Sequence, residues 1–452
     1  MRFRYYIGYT LEALSAHALA TGQGDGIQDT QILRDAHGLP CLPATSIAGV
    51  LRHLYEAQHG PVDSQELFGF IDNTDGQASH LKLTWAFTHD STNRVAEGLA
   101  LPDSEDPLIQ LLHQAKPIIR QRVRLNSLGA AADTALYDLT LVPRGARYSG
   151  FIEIVGIDQE HVTRQWQQLS ACLTDVRFRL GTGSRSGLGA FKLVALTGRC
   201  YDLETELTAY GARPRRRNDL HTLPLLSPAV QPSQPIKLAL RATDSWAIGG
   251  GQTSLTANSL NNIALIPQTE PVIVWTANRA NINPQIVAPG SALKGALRHR
   301  VAFHHRRICQ EWAEKGLPEH NTATDLLFGY ERSGTGDDVA GQAGLLWFHD
   351  LYLQQQVTVH EQMHNRLDRF TGGVMAGGLY STQSLWQSHF ELEIGCSDLE
   401  SIDANVLHAL RLALEDLCCS RLPLGANGSR GLGAMTGTIL SQPTYMTNED
   451  VA

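Results

Sequence analysis

The sequence predicts an α+β protein built as two tandem ferredoxin-like halves, and three observations carry that prediction. A glycine-dense stretch, GTGSRSGLGAF at Gly181 to Phe191, recurs in nearly the same spelling as GANGSRGLGA at Gly425 to Ala434. Three further motif pairs recur in the same order. Each half also reads strand, helix, irregular middle, strand, helix, glycine loop, strand, with the period of the apolar positions switching between two and 3.6.

The further pairs are PATSIAGVLRH (Pro43 to His53) with PGSALKGALRH (Pro289 to His299), LFG at Leu67 with LFG at Leu327, and RLNSLGAAADTALY (Arg124 to Tyr137) with RLDRFTGGVMAGGLY (Arg366 to Tyr380). Four pairs in one order imply a duplicated domain. Between the copies, GARPRRRNDLHTLPLLSPAVQPSQP holds Pro214, Pro224, Pro228, Pro232 and Pro235, which exclude a long helix and favour an extended connector. The expected division is therefore a first domain at 1–206, a linker at 207–235 and a second domain at 236–452.

The elements follow in order. RYYIGYTLEAL and IKLALRAT open the halves as strands. Ile47, Val50, Leu51 and Leu54 mark one face of a helix, and Leu293, Leu297 and Val301 repeat it. Thr45 and Ser291 follow prolines and are placed to accept first-turn amide hydrogens. A second helix is expected near His161 to Leu173 and near Asn405 to Cys419, preceded by the strands FIEIVGI and HFELEIG and followed, after the glycine loops, by GAFKLVAL and GAMTGTIL.

Composition narrows the function. No run of eighteen uncharged apolar residues occurs, so no membrane span and a cytoplasmic location are expected. Seven cysteines without a C-x-x-C pair fit neither a disulfide framework nor a closed zinc site, and Cys418 and Cys419 are expected as buried apolar residues. A net charge of -8 opposes a free-standing nucleic-acid binder. Charge is uneven, however: RPRRR (Arg213 to Arg217) and RHRVAFHHRR (Arg298 to Arg307) are local basic clusters whose field acts on a polyanion despite the acidic average.

Glycine-rich loops let backbone amides approach phosphate oxygens, although a plain helix-to-strand turn uses the same residues. Neither loop ends in Gly-Lys-Ser/Thr, so no ATP site is indicated. Each paired helix offers a positive amino end, with Arg52, Lys294 and Arg298 one to two turns in, an arrangement that suits an anionic backbone.

The combination ATGQGDGIQDTQILRDAHGLPCLPATSIAGVLR, RVRLNSLGAAADTALYD and GTGSRSGLGAF resembles the RAMP superfamily, in particular the backbone subunits of type III CRISPR effector complexes. PVIVWTANRANINPQIVAPGSALKGALR, NRLDRFTGGVMAGGLYS and GANGSRGLGA resemble it again. The resemblance implies domains similar to the RNA-recognition motif, stacked on a guide RNA beside a target RNA and other effector subunits. It also implies a thumb-like hairpin at about 110–140 and 358–382. The RNA contacts expected are Arg52, Lys294 and Arg298 on the helices, Arg124 and Arg366 in the thumb-like segments, and Arg185 and Arg430 in the glycine loops, with Gly181, Gly183, Gly187, Gly425 and Gly431 allowing close backbone approach.

Family members that slice target RNA carry an aspartate in the loop before the first helix, and GIQDTQILRD places Asp29 there, with Asp25 and Asp35 nearby. A carboxylate at that position can hold Mg2+ or Mn2+ while the RNA 2'-hydroxyl attacks the scissile phosphate. Thr269 stands at the matching place in the second half, with Glu270 adjacent and Asp244 upstream, which puts cleavage there in doubt. Three functions remain open: a metal-dependent endoribonuclease subunit, a non-catalytic guide-binding scaffold, and a guide-processing ribonuclease using His17 or His37.

Overall fold

The computed structural model of the chain describes residues 1–20, 31–72, 75–126, 131–230, 234–256, 262–311, 321–330, 341–353, 357–397, 399, 402–443 and 446, with the side chains of 132–135 left aside. The molecule is a mixed α+β protein with two principal antiparallel sheets, each with its own hydrophobic core.

In the first half the principal elements are β1 (Phe3–Ala13), α1 (Ala44–Phe68), β2 (Leu81–Leu83), β3 (Ala86–Thr88), β4 (Ile118–Leu125), β5 (Ala131–Leu141), β6 (Arg147–Gly156), α2 (Gln159–Thr174), β7 (Ser186–Gly187) and β8 (Phe191–Asp202). The sheet runs β8-β1-β6-β3, with β2 also on β6 and the two-residue strand Cys41–Leu42 on β3. Alternation along β1 sends Ile7, Tyr9 and Leu11 toward the helices, where they meet Ile47, Leu51 and Leu54 of α1 and Trp166 and Leu169 of α2. Each such fully buried side chain contributes about 1.5–3 kcal/mol. Gly60, at φ 87, breaks α1 ahead of Pro61.

The second half repeats the plan with β9 (Ile236–Ala242), β10 (Thr269–Thr276), β11 (Arg279–Ala288), α3 (Gly290–Ile308), β12 (Leu346–His349), β13 (Leu351–Leu353), β14 (Thr358–His364), β15 (Tyr380–Trp386), β16 (His389–Cys396), α4 (Ala404–Cys418) and β17 (Met435–Ser441). Its sheet runs β17-β9-β16-β12, and Leu293, Leu297 and Val301 of α3 pack with Leu410, Leu414 and Leu417 of α4. The helix ends differ from expectation. Pro43 and Pro289 are themselves the N-caps and no hydroxyl caps either helix, because Thr45 and Ser291 already lie inside the first turn. Asp158 and Asp403 do cap α2 and α4.

The halves are interlocked. Strand β7, inside the first glycine loop, joins the second sheet in parallel with β12, pairing Ser186 with Phe348 and Gly187 with His349. The β10–β11 hairpin reaches back: Ile273 N donates to Arg144 O at 2.9 Å, and Trp275 Nε1 to Gly145 O at 2.7 Å. Ile273 is part of the first half's core.

Residues 207–226 lie against the outer face of the first sheet. They form a short helix (Leu207–Gly211) and a 3-10 turn (Arg217–Thr222), and Leu220, Leu223 and Tyr210 cover Tyr6, Phe151 and Tyr201. The basic run RPRRR is partly absorbed here. Arg213 lies 3.9 Å from the centroid of Tyr210, while Arg217 pairs with Glu97 at 3.0 Å and sits 4.3 Å from the Phe87 ring. Cys418 is buried as expected, but Cys419 is exposed, because it caps the end of α4 where the chain leaves the core. No described helix is long and apolar enough to cross a membrane.

Candidate nucleic-acid interface

The two glycine loops share one backbone. Positive φ recurs at Gly181, Gly183, Gly187 and Gly189 and at Gly425, Asn427, Gly431 and Gly433. Four hydrogen bonds recur in register: Leu180 N to Gly189 O and Leu424 N to Gly433 O, Thr182 N to Ala18 O and Ala426 N to Ala247 O, Leu188 N to Gly183 O and Leu432 N to Asn427 O, Gly189 N to Ala16 O and Gly433 N to Ser245 O. These amides are spent on the chain's own carbonyls. A Cβ at Gly181 would stand 2.1 Å from Ala18 O, and one at Gly425 would stand 2.3 Å from Ala247 O, so both glycines answer a folding need. Gly187 departs furthest from the expected open loop: it is buried, and a Cβ there would meet Asp350 Oδ1 at 2.1 Å and Gly290 N at 3.0 Å. Gly183 and Gly431 keep the expected loop positions, half-buried and exposed.

The amino end of α3 is likewise taken by the protein. Gly290 N donates to Asp350 Oδ1 at 2.8 Å, so a carboxylate from the turn between β12 and β13 sits where an anionic ligand was expected. Asp350 is itself sealed from solvent and lies 2.7 Å from Arg120 of β4, whose guanidinium also makes a two-pronged pair with Glu270 of β10. Glu270 is therefore committed to Arg120 and is not a free carboxylate.

Around this anchor the basic side chains converge. Arg185 holds its guanidinium 3.8 Å from the centroid of Trp347, across the boundary between halves. Burial, and then Arg177, push Arg185 down to about 10. Lys294 of α3 is pushed down to about 8 by burial first and then by Arg298, Arg185 and Arg122. Arg298 keeps a long contact to Asp325, 3.9 Å, and donates to Gly329 O at 3.4 Å. Thus Arg185, Lys294 and Arg298, expected separately, lie within electrostatic reach of one another, where the first glycine loop packs on the start of α3.

Arg366 and Arg430 meet elsewhere. Arg430 Nη1 donates to Tyr380 OH at 3.3 Å, Arg366 lies 5.7 Å from the same ring, and His364 stacks on it at 5.0 Å. Exposed Met363 and Leu379 complete an open groove. Arg52 stands apart, lining a groove with Phe68, Phe70 and Ile71, and Arg124 lies exposed toward the far end of β4. The residue missed is Arg122. It shares a strand face with Arg120 in RQRVR, and the period of two was the available signal, although the register shifts at Arg124.

Asp29 and Asp25 lie outside the described residues. Asp35 forms a turn, its Oδ1 accepting from His37 N at 2.9 Å and Leu39 N at 3.0 Å. Among the described residues no group of three or more His, Cys, Asp or Glu side chains is placed to hold a metal ion. His17 is buried, accepts or donates one hydrogen bond with Tyr148 at 2.8 Å, and is pushed down to about 3 by burial, so it stays neutral and out of reach of RNA.

The chain matches the RAMP superfamily over residues 10–192 and 240–436, and it belongs to that family. One matched stretch falls in each half. Among solved structures it is similar, at 16% identity and a TM-score of 0.31, to a chain in the cryo-EM structure of the type III-B Cmr-beta bound to cognate target RNA. That likeness covers 43% of this chain and 60% of the other, so this chain spans less than two thirds of that relative's length. No curated protein matches it.

Proposed function

We propose that the chain is a backbone subunit of a type III CRISPR effector complex that holds guide RNA and presents target RNA. One observation carries this reading: Arg185 of the first half and Lys294 and Arg298 of the second, drawn from duplicated motifs, gather at a single junction beside a sheet edge. Domains at 1–206 and 236–452, joined by 207–235, are the units we assign. Their sheet orders, β8-β1-β6-β3 and β17-β9-β16-β12, support a ferredoxin-like fold for each. The hairpins β4–β5 and β14–β15 take the thumb role, and other effector subunits are the expected neighbours. RNA runs along the helix and hairpin side, since residues 207–226 cover the outer face of the first sheet.

The test is RNA affinity across a salt series for the native chain, Lys294→Glu and Arg298→Glu. Each lost phosphate contact should weaken binding and shallow the salt slope by roughly 0.7–0.9. Unchanged affinity and slope in both variants would overturn the reading.

Cleavage belongs to the first half in this reading, with Asp29 as the acting carboxylate and the Mg2+ or Mn2+ ligand. The cation would supply charge stabilisation at the scissile phosphate. In assembled complexes Asp29→Ala should abolish cutting at one register of the target while leaving guide binding intact; undiminished cutting at every register would reject Asp29. For the second half the scaffold reading is favoured, because Glu270 is tied to Arg120 and Thr269 cannot replace a carboxylate. Guide processing through His17 is disfavoured by its burial.

A further inference from the structure

We propose that the junction itself is an anion site, formed by Arg122 and Arg185 of the first half with Lys294 and Arg298 of the second, that it takes one phosphate group, and that its occupancy fastens the two halves together. The proposal rests on the RNA-binding reading only for the source of the phosphate.

The donors are in place and only partly used: Arg298 faces Asp325 and Gly329 O, while several hydrogens of Arg122 and Arg185 have no acceptor. Arg122 is largely enclosed and bonds Tyr137, but its Nε and Nη2 are buried without hydrogen-bond partners; Arg185 has Nη1 in the same state. Lys294 makes no ion pair among the described residues. Of the nearby acids, Asp350 is committed to Gly290 N and Arg120 and Glu270 to Arg120, which leaves Asp325, at 3.9 Å from Arg298, as the acid facing the four cations. Buried guanidinium hydrogens without acceptors are costly, and cations that outnumber their counter-ions repel. A phosphate answers both, because its oxygens match the planar fork of arginine and can share a lysine.

Location supplies the coupling. Two of the donors sit on β4 and the first glycine loop, and two sit on α3, so the full set exists only when the halves are docked. A ligand that binds only the docked state must stabilise docking in proportion to its binding. The contact it would brace is the parallel pairing of Ser186–Gly187 with Phe348–His349, which is only two residues long.

The experiment is amide hydrogen exchange of the full chain at segments 185–188 and 346–349, in buffers of matched ionic strength. One arm adds inorganic phosphate, and a second adds a short single-stranded RNA. Exchange in these segments should slow by about tenfold at roughly ten times the dissociation constant of whichever anion binds. Lys294→Gln and Arg122→Gln should each abolish the slowing, and Lys294→Arg should retain it. Because each Gln variant removes a repelling charge, both should exchange more slowly than the native chain in anion-free buffer, a sign that loss of packing could not produce. Unaltered exchange in both arms, or slowing that persists in both Gln variants, overturns the proposal. RNA binding with no response at the junction would remove this inference and leave the RNA-binding reading standing. A response to phosphate with no RNA binding would do the reverse.

Discussion

Arg120 and Glu270 lie 150 residues apart in the chain and meet as a two-pronged ion pair, Nε to Oε1 at 2.5 Å and Nη2 to Oε2 at 2.8 Å, with both side chains sealed from solvent. Asp350 completes the set from the other side. Burial works against the charged guanidinium, but Asp350 and Glu270 outweigh it and push the group above its ordinary value. Arg120→Met should therefore cost about 3–5 kcal/mol in urea unfolding, since it strands two buried carboxylates. Arg411→Gln, which removes an exposed helical pair with Glu415, should cost only about 0.3–0.5 kcal/mol.

Lys294 links the junction to pH. The folded chain holds its ammonium at about 8 against an ordinary 10.5, so between those values the unfolded chain carries a proton that the folded chain lacks. Stability should rise as pH climbs from 8 toward 10.5, and Lys294→Met should lose that increment in urea unfolding measured at several pH values. A bound phosphate favours the charged form. RNA affinity should consequently fall as pH rises above about 8, and Lys294→Arg should flatten that decline.

Two equivalent glycines should behave differently. Gly187 and Gly431 both have positive φ, at 105 and 89, but only Gly187 is walled in, while nothing lies within 4 Å of a Cβ at Gly431. Gly431→Ala should cost about 1–2 kcal/mol, the backbone penalty alone. Gly187→Ala should cost roughly 2–5 kcal/mol, because Asp350 must also be displaced. Thermal unfolding of the two variants compares them directly.

Asp416 pins α3 to α4, accepting from Arg300 Nε at 2.5 Å and His304 Nε2 at 2.6 Å and forming an ion pair with Arg421 at 2.6 Å. Burial works against its ionisation, yet His304 and Arg300 outweigh it and hold the carboxyl below its usual range. Its contribution is thus present at neutral pH and lost as pH falls through that lowered value. Asp416→Asn should cost about 1–3 kcal/mol at pH 7 and flatten the acid limb of the stability curve.

The layers of the fold were readable because they depend on local pattern. Alternation in RYYIGYTLEAL and the spacing of Leu293, Leu297 and Val301 each describe one face of one element, and the second sheet and helix set copies the first. The glycine loops were readable as a pair, but not as buried turns, since Gly187 is enclosed by Asp350 from the other half. The junction depends on single residues brought together over long separations. RQRVR spaces Arg120, Arg122 and Arg124 by two, but nothing local says that the first is neutralised, the second enclosed and the third exposed beyond a register shift. Likewise Glu270 looks like a spare acid beside Thr269 until Arg120 is folded against it.

The pairing of Ser186–Gly187 with Phe348–His349 has a genetic corollary. Sheet edges left bare recruit strange strands, so a gene split at residues 207–235 would release a second fragment with an unguarded border at Leu346–His349. Keeping both modules on one polypeptide fixes their ratio at one to one and their order in space. It also replaces a bimolecular encounter with a tethered one at high effective concentration, so a two-residue strand suffices where separate proteins would need a wider seam.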